Sequence, residues 1–434
     1  MPGFYQIDEE PYPISMTIEH WDGLLYVQQA STGLAAPALG ARPGERVLDL
    51  CAAPGGKTTH LAELMGDAGC LVASEIDERR IRGLLGNVYR LGHPNVVCLA
   101  ADGRDFPAGA LFDRVLVDAP CTGEGTLRRR SGDVPNQSET FLRYVRGVQR
   151  RLLERAVELC RPGGSILYVT CTFSPEENEA VVSDVLATCP VEIEPLSLDV
   201  PHAPGLASFE GKSFDAQLGG AARIYPHHLD SGGLFLAKMR RLEGEPSADL
   251  AGTASLDPGR GWSPVPRAFP GEPLAEQEAH ELVVGALAAL ADRYGVPLDE
   301  LERRGWIVRG GRVWMHEASE WPLDAWSEGA WRAVSIGLRA VELDSRGRPR
   351  PTNDFLRWLG RRVSRARVDL SAEALASLLG GTARPAPDAP PGPLALGLEG
   401  AVVGRGVATP TGLVSEIPKA RAADLRRILD ASAP

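Results

Sequence analysis

No stretch of the 434-residue chain approaches the roughly 20 uninterrupted apolar residues that a membrane-spanning helix needs. The opening residues, MPGFYQIDEEPYP, lack both the basic start and the apolar run of a signal peptide. A cytoplasmic address with no membrane partner is therefore expected. The seven cysteines (51, 70, 98, 121, 160, 171 and 189) form no CxxC pair of the zinc type, are odd in number and all lie in the first half. Reduced thiols and no bound metal are the expectation. Positive charge is also short: a net charge of −11 argues against attraction of nucleic acid by the molecule as a whole and says nothing about a local basic groove. Internal repeats are absent as well. What is present is length and 44% hydrophobic content, enough for about two to three domains with cores of their own.

From about 45 to 240, short β-rich runs alternate with helical stretches. RVLDLC, CLVASEI, VVCLAAD, RVLVDAP, SILYVTC, VEIEPLSL and GLFLAKM read as strands. THLAELM, ERRIRGLLGNVYRLG, ETFLRYVRGVQRRLLERAVELC and EENEAVVSDVLATC carry apolar residues at steps of three and four and read as helices. The pattern predicts a doubly wound, Rossmann-like α/β sheet. Such sheets bind ligands beyond the carboxyl ends of their strands, where strand order reverses. Polar residues just past the apolar runs are then the ones to watch: Asp49, Glu75, Asp102, Asp118, Cys121 and Cys171. Residues 243–273, rich in Pro, Gly and Ser, read as a linker after a first domain of 1–242. A smaller α+β domain is expected over 274–434, with a hairpin turn at Gly310-Gly311, a second linker at TARPAPDAPPGP and a final β-rich segment. Four local basic runs stand out, at 127–132, 144–155, 303–314 and 357–367. Each is more simply a solvated helix face than a polyanion contact.

VLDLCAAPGGKTTHLAEL is a strand, a small-residue turn and a helix; Gly55-Gly56 allows close approach of a ligand, and the helix start offers free N–H groups. A nucleotide triphosphatase loop is matched at Gly56, Lys57 and Thr58 but fails at Cys51, where that loop requires its first glycine. A loop for S-adenosylmethionine is the better reading. It predicts an acid at the next strand end for the ribose hydroxyls and another after that near the adenine, and Glu75 and Asp102 stand there.

Two further strand ends carry cysteine, in RVLVDAPCTGEG (114–125) and SILYVTCTFSPEENE (165–179). A methyl donor beside two thiols suits methylation of cytosine C5, a poor nucleophile until a thiolate adds to C6 and pushes electron density onto C5. A base must then remove the C5 proton, which a second cysteine could do. Asp118 could hold the amino edge of the base. A free thiol titrates near pH ~8.5, so the nucleophile needs a cation or a helix start nearby, and Lys57 and the start at Pro175 are the candidates.

On these residues the chain resembles the RNA (cytosine-5) methyltransferases, and within them the bacterial ribosomal RNA branch with a C-terminal domain of the PUA type. The runs that carry the resemblance are LDLCAAPGGKTTHLA, SEIDERRIRGLLGNVYRLG, ADGRDF, VLVDAPCTGEGTLRR, YVTCTFSPEENEAVV and RIYPHHLDSGGLFLAKM. The resemblance implies that Cys51, Ala52, Ala53, Pro54, Gly55, Gly56, Lys57, Glu75, Asp102 and Asp118 form the S-adenosylmethionine site. It implies Cys171 as nucleophile, Cys121 as the residue that assists release, Asp118 as positioner of the base, and ribosomal RNA or a small ribosomal subunit particle as partner of a monomer. Family members usually carry an RNA-binding segment ahead of the point where this chain starts, so that segment is expected to be short or missing. Over 274–434 the likeness lies mainly in order and pattern.

Plainer readings stand beside these. Cys70, Cys98, Cys160 and Cys189 read as core or surface thiols, and His227 and His228 as residues that order a loop. Glu176, Glu177 and Asn178 read as a helix-start signature. Trp306, Trp314, Trp321, Trp326, Trp331 and Trp358 read as core anchors sooner than as base-stacking platforms. Other functions to weigh are a transfer RNA or DNA cytosine-5 methyltransferase and a silent RNA-binding assembly factor.

Overall fold

The structure, a computed structural model, describes residues 4, 5, 7, 10, 13–106, 111–129, 138–243, 267, 268, 273–317, 332–386 and 388–431. Almost all of the expected linker at 243–273 lies outside them, as do Trp321, Trp326, Trp331 and residues 130–132 of the first basic run. Strands β1 (Arg46–Asp49), β2 (Cys70–Glu75), β3 (Val96–Ala100), β4 (Phe112–Asp118) and β5 (Cys160–Thr170) pair in parallel in the order 3-2-1-4-5. Their apolar runs are near-continuous because helices cover both faces. These helices are α1 (Gly56–Leu64), α2 (Glu78–Leu91), α3 (Glu139–Leu159) and α4 (Glu179–Thr188). Asp77 caps the start of α2 by accepting from the backbone of Arg79 and Arg80, and Gly92, at φ +78°, ends it in the left-handed conformation. Strand order reverses at β1, between β2 and β4, which puts the ligand crevice where the acids and cysteines leave the sheet.

Beyond β5 the sheet turns antiparallel. Strands β6 (Val191–Ile193), β7 (Ala203–Pro204), β8 (Ala222–Ile224) and β9 (Leu234–Arg241) follow, with β9 beside β5, β6 and β8, and β8 beside β7. The opposite edge is closed from far along the chain: β10 (Arg332–Ile336) lies antiparallel to β3, with Ile336 opposite Val97. The N-terminal segment makes the reciprocal exchange. Trp21 is buried in the C-terminal core and donates from Nε1 to the carbonyl of Val403, while Arg357 donates to the carbonyl of Trp21. The two halves thus share a sheet edge and a core.

The C-terminal half holds a five-stranded sheet, which includes the hairpin Gly305–Arg309 and Arg312–His316, and a four-stranded sheet over 367–415. The final β-rich segment forms as expected, at Gly392–Leu398, Ala401–Thr409 and Gly412–Ser415, and is followed by a helix, Lys419–Ala431, absent from the sequence reading. Trp306 and Trp314 are core anchors, 1% and 7% exposed. Trp358 stacks on Phe355 and carries the Arg362 guanidinium 4.0 Å above its ring. No helix of the described residues is long and apolar enough to cross a membrane.

Candidate active site

The turn after β1 is held from below and from the side. Asp49 is buried and accepts from Thr58 Oγ1 at 2.8 Å and from the Cys51 backbone at 3.3 Å, tying strand to helix across the loop. Burial pushes its carboxyl up to about 7 against the pull of Thr58. Burial likewise pushes the Cys51 thiol well up, so Cys51 shapes the loop and stays protonated. Helix α2 grips the turn's outer carbonyls: Arg80 donates to Ala53 at 2.6 Å and Asn87 to Pro54 at 2.8 Å. Ala52 and Ala53 are buried, whereas Pro54 is exposed. Gly55 sits at φ +106°, and a side-chain carbon on Gly56 would come within 3.0 Å of the Tyr26 hydroxyl.

Glu75, 2% exposed, ends β2. Its Oε1 accepts from the backbone of Asp77 at 3.0 Å. Its Oε2 lies 3.3 Å from an Arg80 nitrogen but makes no aligned hydrogen bond, leaving a buried acceptor open to a partner. Asp102 follows β3, and Arg104 holds both its oxygens, with Nε at 3.0 Å from each. That grip keeps the Asp102 carboxyl below its ordinary range.

The two cysteine loops leave neighbouring parallel strands at the same end, because Asp118 of β4 is in register with Val169 of β5. Cys121 Sγ and Cys171 Sγ stand 3.3 Å apart. Their acidities are driven in opposite directions. The hydrogen bond from the Cys121 thiol pulls Cys171 down; Lys57 adds to this, against burial and the charge on Asp118. The same bond, with burial, pushes Cys121 well up. Lys57 Nζ reaches Asp118 Oδ2 at 2.7 Å. Burial opposes the charge on Lys57, but Asp118 outweighs it and keeps the ammonium firmly protonated. Lys57, Asp118, Cys121 and Cys171 therefore form one cluster.

Beneath the two cysteine loops lies a group that sequence reading took for a helix start. Glu177 is fully buried, and α4 begins only at Glu179. One oxygen of Glu177 accepts from the Thr122 backbone at 3.0 Å and from Gln149 Nε2 at 2.9 Å; the other accepts from Thr122 Oγ1 at 2.5 Å. Thr122 and Thr172, each one residue past a cysteine, share a hydrogen bond of 2.9 Å. Glu124 adds a second tie, accepting from the Phe173 backbone at 3.1 Å, and Gly125 donates to the carbonyl of Cys171 at 2.8 Å. The signal available in the sequence is the repeated Cys-Thr pair followed by an acid. A buried pair, Arg223 with Glu179, braces the same loop through the Phe173 carbonyl. His227 and His228 lie in the short helix Pro226–Leu229; the backbone of Tyr225 donates to His228 Nδ1, and the His227 ring stacks on that of Tyr225.

Two of the basic runs are engaged internally. Along 144–155, Arg146, Arg150 and Arg155 pair with Asp184, Glu154 and Glu158. Along 357–367, Arg357 is buried against Asp354, and Arg367 holds Asp369.

Ribosomal RNA small subunit methyltransferase F of Klebsiella pneumoniae (strain 342) is 33% identical over 351 residues, 78% of this chain and 66% of the relative. The protein of that name from Cronobacter sakazakii is 34% identical over 349 residues, with the same coverage. The chain thus spans just under two thirds of the length of these relatives. A solved methyltransferase homolog from Pyrococcus horikoshii is 37% identical, with a TM-score of 0.48 over 54% of this chain and 73% of that one. Residues 36–240, the span that holds the glycine turn, the strand-end acids and both cysteines, match the model of the family described as 16S rRNA methyltransferase RsmB/F.

Proposed function

We propose that this chain methylates C5 of cytosine in RNA, with S-adenosylmethionine as donor and small-subunit ribosomal RNA, free or in a small ribosomal subunit particle, as substrate. The observation that carries the proposal is the pair of thiols 3.3 Å apart with acidities driven in opposite directions. The residues present fit the donor: the glycine turn admits close approach, and the buried open oxygen of Glu75 suits a ribose hydroxyl. Cys51 to Lys57, Glu75, Asp102 and Asp118 would hold it. Bound S-adenosylmethionine supplies an electrophilic methyl group.

Cys171, the more acidic thiol, attacks C6 as thiolate and makes the C5 carbon nucleophilic. Lys57 stabilises that thiolate before attack, and Asp118, fixed by Lys57, meets the amino edge of the base. When C5 has taken the methyl group it still bears its hydrogen. By then the Cys171 sulfur is bonded to carbon and uncharged, so the largest cause that raised Cys121 is gone. Cys121 gives its proton to water and, as thiolate, takes the C5 hydrogen. The C5–C6 double bond re-forms as the C6–S bond breaks, returning the Cys171 thiolate.

Mass spectrometry of ribosomal RNA incubated with the chain and the donor tests the reaction, and absence of 5-methylcytosine overturns it. For the roles, Cys171→Ala should abolish both product and adduct, whereas Cys121→Ala should accumulate a protein–RNA adduct stable to denaturing electrophoresis. Accumulation in the Cys171 variant instead would exchange the two assignments and favour the DNA-type mechanism.

A further inference from the structure

Of the seven thiols, two meet. Cys121 Sγ and Cys171 Sγ are in hydrogen-bond contact at 3.3 Å, and no other two of the seven share such a bond. A disulfide bond is about 2.05 Å long, so closing one here brings the sulfurs together by about 1.3 Å, a movement that two side chains divide between them. The next residues, Thr122 and Thr172, are themselves bonded at 2.9 Å, which ties the two loops side by side. Both cysteines are partly exposed, within reach of a small oxidant, whereas Cys70, Cys98 and Cys160 are buried. Burial pushes those three thiols up to about 12 and raises Cys51 and Cys189 as well. Cys171 alone is drawn down, chiefly by the hydrogen bond from Cys121. Thiolate is the form that peroxide oxidises, so the most reactive sulfur of the chain stands against a second sulfur able to resolve it.

We propose that Cys121 and Cys171 are a site of reversible oxidation by hydroperoxides, closing to a disulfide that stops methylation. The loss of methylation rests on the cysteine roles proposed above, whereas the disulfide rests on the contact between the sulfurs. The Cys171 thiolate attacks the outer oxygen of the hydroperoxide: an S–O bond forms, the O–O bond breaks, and the hydroxide or alkoxide that leaves takes a proton from water. Cys171 is then a sulfenic acid. With its charge gone, the largest cause that raised Cys121 is gone as well. Cys121 attacks the sulfenic sulfur, the S–S bond forms as the S–O bond breaks, and the departing hydroxide leaves with the Cys121 proton as water. Each sulfur has lost one electron and the peroxide has gained both. A dithiol reductant reverses the change by exchange. The disulfide leaves neither the nucleophile nor the base of the reaction, and it keeps Cys171 from passing on to sulfinic acid, which exchange does not restore. The donor site, on the turn after β1 and at Glu75 and Asp102, lies in other loops and is left as it was.

The test treats the full chain with hydrogen peroxide, blocks the remaining thiols with iodoacetamide under denaturing conditions and maps the peptides by mass spectrometry. The wild type should yield peptides joined through Cys121 and Cys171, with the other five thiols alkylated. Methylation of a 16S ribosomal RNA transcript should be lost in step with the linkage and return with dithiothreitol, while S-adenosylmethionine affinity by calorimetry stays unchanged. Cys121→Ser keeps a hydroxyl beside Cys171 but has no second sulfur, so dimedone should trap its Cys171 sulfenic acid and trap far less in the wild type. The same calorimetry certifies the fold of that variant. Equal trapping in the two proteins, or a wild-type Cys171 carried to sulfinic acid with Cys121 still alkylated, overturns the disulfide. A linkage that leaves methylation intact overturns its effect on the reaction. A wild type that makes no 5-methylcytosine before oxidation overturns the methylation reading and that effect together, and the joined peptides still decide the disulfide.

Discussion

Replacing Glu177 separates a positioning role from a merely structural one. In Glu177→Ala three buried donors lose their acceptor, the Thr122 backbone N–H, the Thr122 hydroxyl and one hydrogen of Gln149 Nε2; the hydroxyl can turn to Thr172 Oγ1 and the other Gln149 hydrogen keeps its bond to the Pro120 carbonyl, which leaves two orphaned. At about 1–3 kcal/mol for each orphaned buried group, the variant should lose about 4 kcal/mol. With about 2–4 °C per kcal/mol for domains of roughly this size, melting should fall by about 8–16 °C. Glu177→Gln should behave differently. Its amide oxygen can serve the same two donors, while its amide nitrogen donates to the Thr122 and Thr172 hydroxyls, which can reverse their roles. Loss of the charge alone should then cost about 1 kcal/mol. The second readout is the pH dependence of Cys171 alkylation by iodoacetamide. The Cys121 hydrogen bond pulls Cys171 down, so loosening the threonine bridge should move the alkylation midpoint to higher pH in the alanine variant and leave it in place in the glutamine variant. An alanine variant that melts lower but keeps the wild-type alkylation profile would refute the positioning role; one unchanged in both would refute the clamp.

Three further outcomes follow from the same geometry. Lys57→Met removes the cation that helps pull Cys171 down and leaves the Asp118 charge uncompensated, so the alkylation midpoint should rise; no movement would assign the raised acidity to Cys121 alone. Glu75→Ala should weaken S-adenosylmethionine binding about 100-fold by calorimetry, the equivalent of about 3 kcal/mol for the ribose bonds, and unchanged affinity would remove Glu75 from the donor site. Gly125→Ala should sharply depress methylation, because its new carbon would sit 2.7 Å from the Gly233 oxygen and 2.8 Å from that of Cys171, both backbone atoms that cannot step aside cheaply; full activity would show that the loop has slack.

The α/β sheet was legible because each parallel strand is an apolar run covered on both faces, and periodicity records that burial directly. The proposed site residues stand out in the sequence for a related reason. Packing ends where a strand ends, so an acid or a thiol just past Leu48, Ala73, Leu99, Val117 or Val169 is there for something other than the core. Glycine and small residues after β1 announced a close approach for the same local reason. Each of these properties depends on neighbours within a few positions, and sequence stores such neighbours.

Tertiary structure alone decided what joins distant segments. Nothing in Arg332–Ile336 marks it as the edge of a sheet whose nearest strand, β3, lies over 200 positions earlier, and nothing in Trp21 marks it for a core formed near Val403. Glu177 looked like a helix start because acids favour first turns. Only folding brings Thr122, Gln149 and Thr172 around it, with a carboxylate buried where its hydrogen-bond donors converge. The asymmetry of the two thiols has the same origin. Cys121 and Cys171 are 50 positions apart with similar local contexts, and which one is the more acidic follows from a 3.3 Å contact, from the depth of each sulfur and from an ammonium group on helix α1. Acidity depends on distance through space, which the order of residues along the chain does not encode.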